Sequence, residues 1–328
     1  MIKPNLHLFH GQDTYSAWHK SQYWRKEFEK KFGDFNVLMF DGEKLTPADF
    51  IEAVDSIPFL GEKKFVLIRD FLRDGNEADQ KAVAEKLEDV ADFSLVLFVE
   101  QDKPDARTTL FKTLKKLATV VEFEPLIGPQ LSAWVQTQVQ QQGGQIGPKE
   151  AHQLAETVGP NLWQMTHEIE KLATYANGKP IPAEAIESMV SPNLTTTIFK
   201  LTDYLGQRNA KAALKTLNIM LENGEEIVRI MFTLAGHFRT LIQVRACMER
   251  KMDKATITQK IKKHPYVIQT TMGQCKNFDT ALLTKIHGKF LAIDTNMKSS
   301  KIHTTAGDNT ELRLALEKLM TELCLRSN

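Results

Sequence analysis

At 328 residues the chain is too long for one typical core and predicts two or three domains, with an apolar fraction of 42% and a charged fraction of 25% that are ordinary for globular protein. No apolar run approaches the roughly 20 residues of a membrane span, the start Met1-Ile2-Lys3-Pro4-Asn5 lacks signal-peptide architecture, and Cys247, Cys275 and Cys324 lie too far apart for a metal knuckle, so a cytosolic protein with reduced thiols is expected. The net charge of +1 conceals an asymmetry, because residues 1–193 carry 21 Lys and Arg against 29 Asp and Glu while residues 194–328 carry 21 against 12; the basic half suits an acidic partner such as nucleic acid or another subunit, or else a solvated face.

Leu6–Gly11 reads as a first strand ending in a glycine turn, and Asp13–Phe32 follows with helical spacing and an Asp placed to cap it. Phe35–Phe40 is a second strand, Thr46 or Pro47 through Asp55 a helix, Phe65–Ile68 a third strand and Glu77–Val90 helical. Ser94–Val99 is a strongly apolar fourth strand, Thr108–Leu117 a helix and Thr119–Phe123 a fifth strand. This alternation over about 125 residues predicts a parallel sheet with helices on both faces. After Glu124-Pro125 the β signal stops. Pro129–Gln142, Lys149–Val158, Leu162–Ala176 and Pro182–Val190 read as a small all-helical module punctuated by Gly143-Gly144, Gly159-Pro160 and Asn177-Gly178. From Thr195 the apolar spacing i, i+3, i+4 predicts a bundle of longer helices, including Ala281–Asn296 and Thr310–Leu325. The expected domains are 1–127, 128–193 and 194–328.

A strand, a glycine turn and a helix at the start of an α/β domain is where a phosphate loop G-x-x-x-x-G-K-[ST] belongs. With Gly11 first, the register puts Ser16 at the second Gly, Ala17 at the Lys and Trp18 at the Ser or Thr. The backbone approach, the phosphate-binding cation and the metal-binding hydroxyl are all missing, so no nucleotide cofactor is expected. Glu100 and Asp102, after the fourth strand, then read as surface carboxylates. His167-Glu168-Ile169-Glu170-Lys171 lacks the second His of a zinc helix, and no other histidine or cysteine sits in a catalytic context. No catalytic or metal site is expected.

Two stretches stand out for binding. Ile57-Pro58-Phe59-Leu60 is an apolar knuckle between a helix and a strand, where Pro58 disfavours helix at Ile57 and would throw the side chains outward. On residue pattern alone the other reading is that Phe59 and Leu60 simply cap the local core, since hydrophobic residues are usually inside. Between Arg245 and His264 lie seven Lys and Arg against two acids. That density suits contact with nucleic-acid phosphate, or a solvated turn.

The order of several short motifs resembles the delta subunit of the bacterial DNA polymerase III clamp loader over nearly the whole chain. They are Leu6-His-Leu-Phe-His-Gly11-Gln-Asp13, Ile57–Ile68, Leu95–Val99, Gly159-Pro-Asn-Leu162, His167–Leu172, Ile198-Phe-Lys-Leu201, Leu234–Arg239 and His264-Pro265-Tyr266. The resemblance implies a degenerate AAA+-like, P-loop-like α/β domain, a small all-α lid and an all-α collar bundle for oligomerisation. It implies a member of the polymerase III holoenzyme without its own ATPase that binds and opens the sliding clamp. Its partners would be the clamp, the tau/gamma ATPase subunits, delta-prime and primer-template DNA, with no membrane. The clamp contact would fall on Ile57, Pro58, Phe59 and Leu60. A Leu-Phe pair would fit the family more closely, so either Pro58-Phe59 or Phe59-Leu60 is the inserted pair. Arg250, Lys251, Lys260, Lys262 and Lys263 are the DNA-contact candidates. The other reading is a free-standing nucleic-acid-binding scaffold with an inactive nucleotide-binding-like domain.

Overall fold

The structure, a computed structural model, describes residues 2–59, 61–190, 193–305 and 308–325. The chain forms two compact units, one of residues 1–126 with 161–163 and one of residues 127–160 with 164–328.

The first unit is built on a five-stranded sheet of β1 (Leu6–His10), β2 (Val37–Asp41), β3 (Lys64–Arg69), β4 (Ser94–Val99) and β5 (Thr119–Glu122). Every pairing is parallel and the order is β2-β3-β4-β1-β5. From β1 the chain runs through α1 (Thr14–Phe32) to the far edge of the sheet. It then works back through α2 (Pro47–Asp55), α3 (Phe71–Asp74), α4 (Glu77–Lys86) and α5 (Thr109–Leu117). Crossovers are right-handed, so this reversal of direction places α1 on one face and the later helices on the other. The core divides accordingly. Phe9, Phe65, Leu67 and Leu97 pack with Ala17 and Phe28 of α1, while Leu8, Val66, Ile68 and Phe98 pack with Phe50, Val83 and Leu110.

The helix starts follow from local sequence. Asp13 accepts the Ser16 N–H at 2.9 Å, Thr46 and Asp49 form a reciprocal capping box ahead of Pro47, and Thr108 accepts from Phe111. The second strand begins two residues later than the sequence predicts. Asp34–Asn36 is a 3-10 turn, because the Asn36 side chain bonds to backbone on two other segments instead of entering the ladder. Likewise the predicted helix to Val90 closes as a 3-10 turn at Leu87–Asp89.

The second unit opens with α6 (Pro129–Gln141), β6 (Gln145–Ile146), α7 (Pro148–Val158), α8 (Leu162–Ala176), β7 (Pro180–Ile181) and α9 (Ala183–Met189). The parallel β6–β7 pair corrects the expectation that strands end at Glu124; two residues per strand are too few for an alternating pattern. Gly159 ends α7 at φ +77°, and a Cβ there would stand 2.9 Å from the Thr196 methyl, which accounts for the glycine on both conformational and steric grounds. Among the described residues seven α-helices follow: α10 (Leu194–Gly206), α11 (Ala210–Glu222), α12 (Ile227–Glu249), α13 (Lys254–Ile261), α14 (Pro265–Gln274), α15 (Thr280–Lys298) and α16 (Thr310–Cys324). They share a core centred on Phe238, whose ring lies 5.6 Å from Phe278 and 5.7 Å from Phe290. Within it His237 Nε2 meets Gln274 Oε1 at 2.6 Å, and Gln274 Nε2 donates to Phe199 O and Asp203 Oδ1, both at 2.9 Å. Burial holds the His237 imidazole down to about 4.

Candidate functional site: an apolar knuckle at a helix end

The α2 helix is amphipathic and buries Phe50, Ala53 and Val54 against the sheet. It stops at Ser56, and the chain turns outward through Ile57, Pro58 and Phe59 before β3. Ile57 is 86% exposed and Phe59 61% exposed; the alternative that Phe59 fills the local core is excluded. Pro58 is half-buried between them, and Leu60 lies outside the described residues. Exposing two large apolar side chains this close together is unfavourable for an isolated chain.

The backbone under these side chains is held at both ends. The Lys64 ammonium, buried at the start of β3, donates to Ser56 Oγ at 2.6 Å, and desolvation lowers its pKa. At the other end the Phe59 N–H donates to Asn36 Oδ1 at 2.7 Å, and Asn36 Nδ2 returns a bond to Phe59 O at 2.9 Å. The same Nδ2 also donates to Phe32 O at 2.7 Å. Beside Asn36, the exposed Phe35 ring meets Phe59 edge-on at 5.8 Å. Neither Asn36 nor Phe35 stands out in the sequence. The one signal is an Asn inside an apparent strand, where that residue is disfavoured.

The C-terminal end of the sheet, where the strand order reverses beside β1, is where an open α/β fold binds a ligand. A cleft of about 290 Å³ lies there, lined among others by Ala17, Trp18, Arg69, Val99 and Glu100. Only Gly11, Gln12 and Asp13 separate β1 from α1, so Ser16, Ala17 and Trp18 are already helical and no loop remains to cradle phosphate. The Asp13 carboxylate occupies the positive end of the helix. Gly11, at φ +132°, is required by packing instead: a Cβ there would lie 2.3 Å from Phe123 O. The Trp18 ring faces the cleft beneath the Arg69 guanidinium, 5.8 Å from its centroid.

Glu100 is not the surface carboxylate expected from the sequence. It is 2% exposed and accepts the Leu72 N–H at 2.9 Å, fastening the start of α3 to the end of β4, and burial pushes its pKa up to about 8. Asp70, at φ +58°, makes the complementary tie by accepting the Gln101 N–H at 3.0 Å. Asp102 is exposed as expected. His167 stands in a helix with no metal-binding neighbours, and among the described residues no cluster of His, Cys, Asp and Glu could hold a metal ion. None of the described helices is long and apolar enough to cross a membrane.

Arg250, Lys251, Lys260, Lys262 and Lys263 fall around the α12–α13 turn and the end of α13, and all five are exposed. Among the described residues none of them forms a salt bridge. Arg245, by contrast, is bound to Glu249 at 3.0 Å and to Cys275 O at 3.0 Å. Lys251, in the α12–α13 turn, and Lys262, at the C-cap of α13, both take left-handed backbone, with φ of 55°.

Two family models match the chain: the DNA polymerase III delta subunit over residues 7–124, and the C-terminal domain of that delta subunit over residues 195–311. The chain is 24% identical to the DNA polymerase III subunit delta of Bacillus subtilis, over 98% of this chain and 93% of that one. It is 22% identical to a probable subunit delta of Aquifex aeolicus, over 76% and 73% of the two chains. The solved structure of the Bacillus subtilis DNA clamp loader delta protein superposes with a TM-score of 0.71 at 23% identity, covering 99% of this chain and 96% of that one. The α/β and helical parts therefore share that fold.

Proposed function

The chain belongs to the DNA polymerase III delta subunit family, and on that premise we propose that it binds the ring-shaped sliding clamp and opens one of its interfaces, with Phe59 as the inserted residue. Ile57 and Pro58 flank it on one side and Leu60 on the other. Residues 1–127 are the clamp-binding domain, 128–193 a lid, and 194–328 the collar that joins the tau/gamma and delta-prime subunits. The observation that carries this reading is the exposure of Ile57 and Phe59 on a backbone pinned by Lys64 and Asn36. An aromatic anchor beside an aliphatic neighbour on a rigid turn is the makeup of a binding hot spot.

The chain does this without hydrolysing ATP itself. Ala17 and Trp18 supply neither the cation nor the hydroxyl, and the Asp13 carboxylate disfavours a phosphate at the helix end. Nucleotide chemistry then belongs to the neighbouring subunits. Arg250, Lys251, Lys260, Lys262 and Lys263 lie near primer-template phosphate in the assembled loader, which their exposure and their lack of salt bridges among the described residues support.

Clamp rings labelled with a fluorophore and assembled on nicked circular DNA provide the test. Stoichiometric chain added without nucleotide is expected to release the rings, and Phe59→Ala to reduce the release sharply at the same concentration. Rings that bind the chain and stay on DNA would overturn the opening role; saturable ATP binding at micromolar concentration would overturn the nucleotide-free one.

A further inference from the structure

Phe35 is 78% exposed, more than Phe59, and stands on a 3-10 turn where the sequence pattern predicts a strand. Its ring is set against that of Phe59, 24 positions on, at a 61° interplanar angle. The residue between Phe35 and β2 behaves oppositely: Asn36 is 4% exposed, and its amide is spent on backbone groups of Phe32 and Phe59. It pairs with the Phe59 N–H and C=O as a neighbouring strand would, so the backbone that carries the ring cannot swing inward without breaking two hydrogen bonds. Gly61 leaves room for this arrangement, since a Cβ there would stand 2.9 Å from Asn36 Nδ2.

We propose that Asn36 is a positioning residue that holds Phe59 in its docking pose, and that Phe35 is a second aromatic contact on the same clamp surface; this rests on the reading of Phe59 as the clamp contact. The occupant is the clamp because Phe35 and Phe59 touch, forming one continuous apolar surface with the knuckle. A contact fixed before encounter loses less freedom on docking, so Asn36 strengthens binding without itself touching the partner.

Full-length chain carrying Phe35→Ala, Asn36→Ala, Gly61→Ala, Phe59→Ala or Asn36→Ala with Phe59→Ala is titrated against labelled clamp well below its melting temperature, with amide exchange followed at Phe59. Phe35→Ala is expected to weaken binding about tenfold with an unchanged melting temperature. Asn36→Ala is expected to weaken binding about tenfold, to release the Phe59 N–H to exchange, and to make the further change at Phe59 nearly silent. Gly61→Ala, which crowds the Asn36 amide without removing it, is expected to act in the same direction and keeps the test open if Asn36→Ala does not fold. Affinities within twofold of the parent for Phe35→Ala and Asn36→Ala, while Phe59→Ala loses binding, would overturn the proposal and leave the Phe59 reading standing. Full additivity of Asn36→Ala and Phe59→Ala would overturn the positioning role. An unaffected Phe59→Ala would remove the Phe59 reading as well.

Discussion

Truncating Phe59 and Phe50 separately divides the proposed docking residue from a core residue within one helix and its exit. Burying a Phe side chain completely yields roughly 1.5–3 kcal/mol. With 61% of Phe59 still exposed, covering the remainder on a partner should yield about 1–2 kcal/mol, which is about a five- to thirtyfold loss of affinity in Phe59→Ala. The free chain loses little by the same change, about 1 kcal/mol at most, since the ring's main contact is the edge of Phe35. Phe50 is fully buried and packs beside Phe98 at 6.3 Å, so Phe50→Ala should cost about 3–5 kcal/mol of stability. Denaturation midpoints and clamp titrations on both variants supply the two observables. The expected pattern is lost affinity with a nearly unchanged midpoint for Phe59→Ala, and a large midpoint shift for Phe50→Ala. A destabilised Phe59→Ala whose folded fraction binds the clamp normally would refute the reasoning.

The other expectations concern charge. Glu100 holds its proton in the folded chain up to about pH 8, so between its unfolded value of about 4.5 and pH 8 the parent loses stability as pH rises; Glu100→Gln keeps an acceptor for Leu72 and should gain up to about 3 kcal/mol over the parent at pH 7, visible as a pH-dependent difference in denaturation midpoint. His237 has the opposite sign: its folded value of about 4 lies below the unfolded one of about 6.5, so stability is present above pH 6.5 and falls by up to about 3 kcal/mol as pH drops towards 4. Hydrogen exchange in α12 should show that fall in the parent and lose it in His237→Gln. Neutralising Lys260, Lys262 and Lys263 should weaken DNA-dependent clamp loading and reduce the magnitude of its salt slope by roughly 2 to 3, whereas an unchanged slope would assign those charges to solvation or to contacts with neighbouring subunits.

Much of the framework is written locally. Asp13, Thr46 and Thr108 announce their helices because a cap needs only the next three residues, and apolar runs such as Phe65–Ile68 and Ser94–Val99 announce buried strands. The absence of a phosphate-loop lysine is legible for the same reason, as is the presence of an apolar knuckle after Asp55. What the sequence leaves undecided is which way an apolar or charged side chain faces once the layers close. Phe50 and Phe59 are equally hydrophobic and nine positions apart, yet the sheet covers one and leaves the other exposed. Glu100 reads as a surface carboxylate until α3 folds over the end of β4 and removes it from water. The Asn36 tie to the knuckle, the Phe35–Phe59 contact and the His237–Gln274 bond join residues 23 to 37 positions apart. Such bonds arise from one side chain meeting distant partners, with no repeating period to betray them, so they exist only in the tertiary structure.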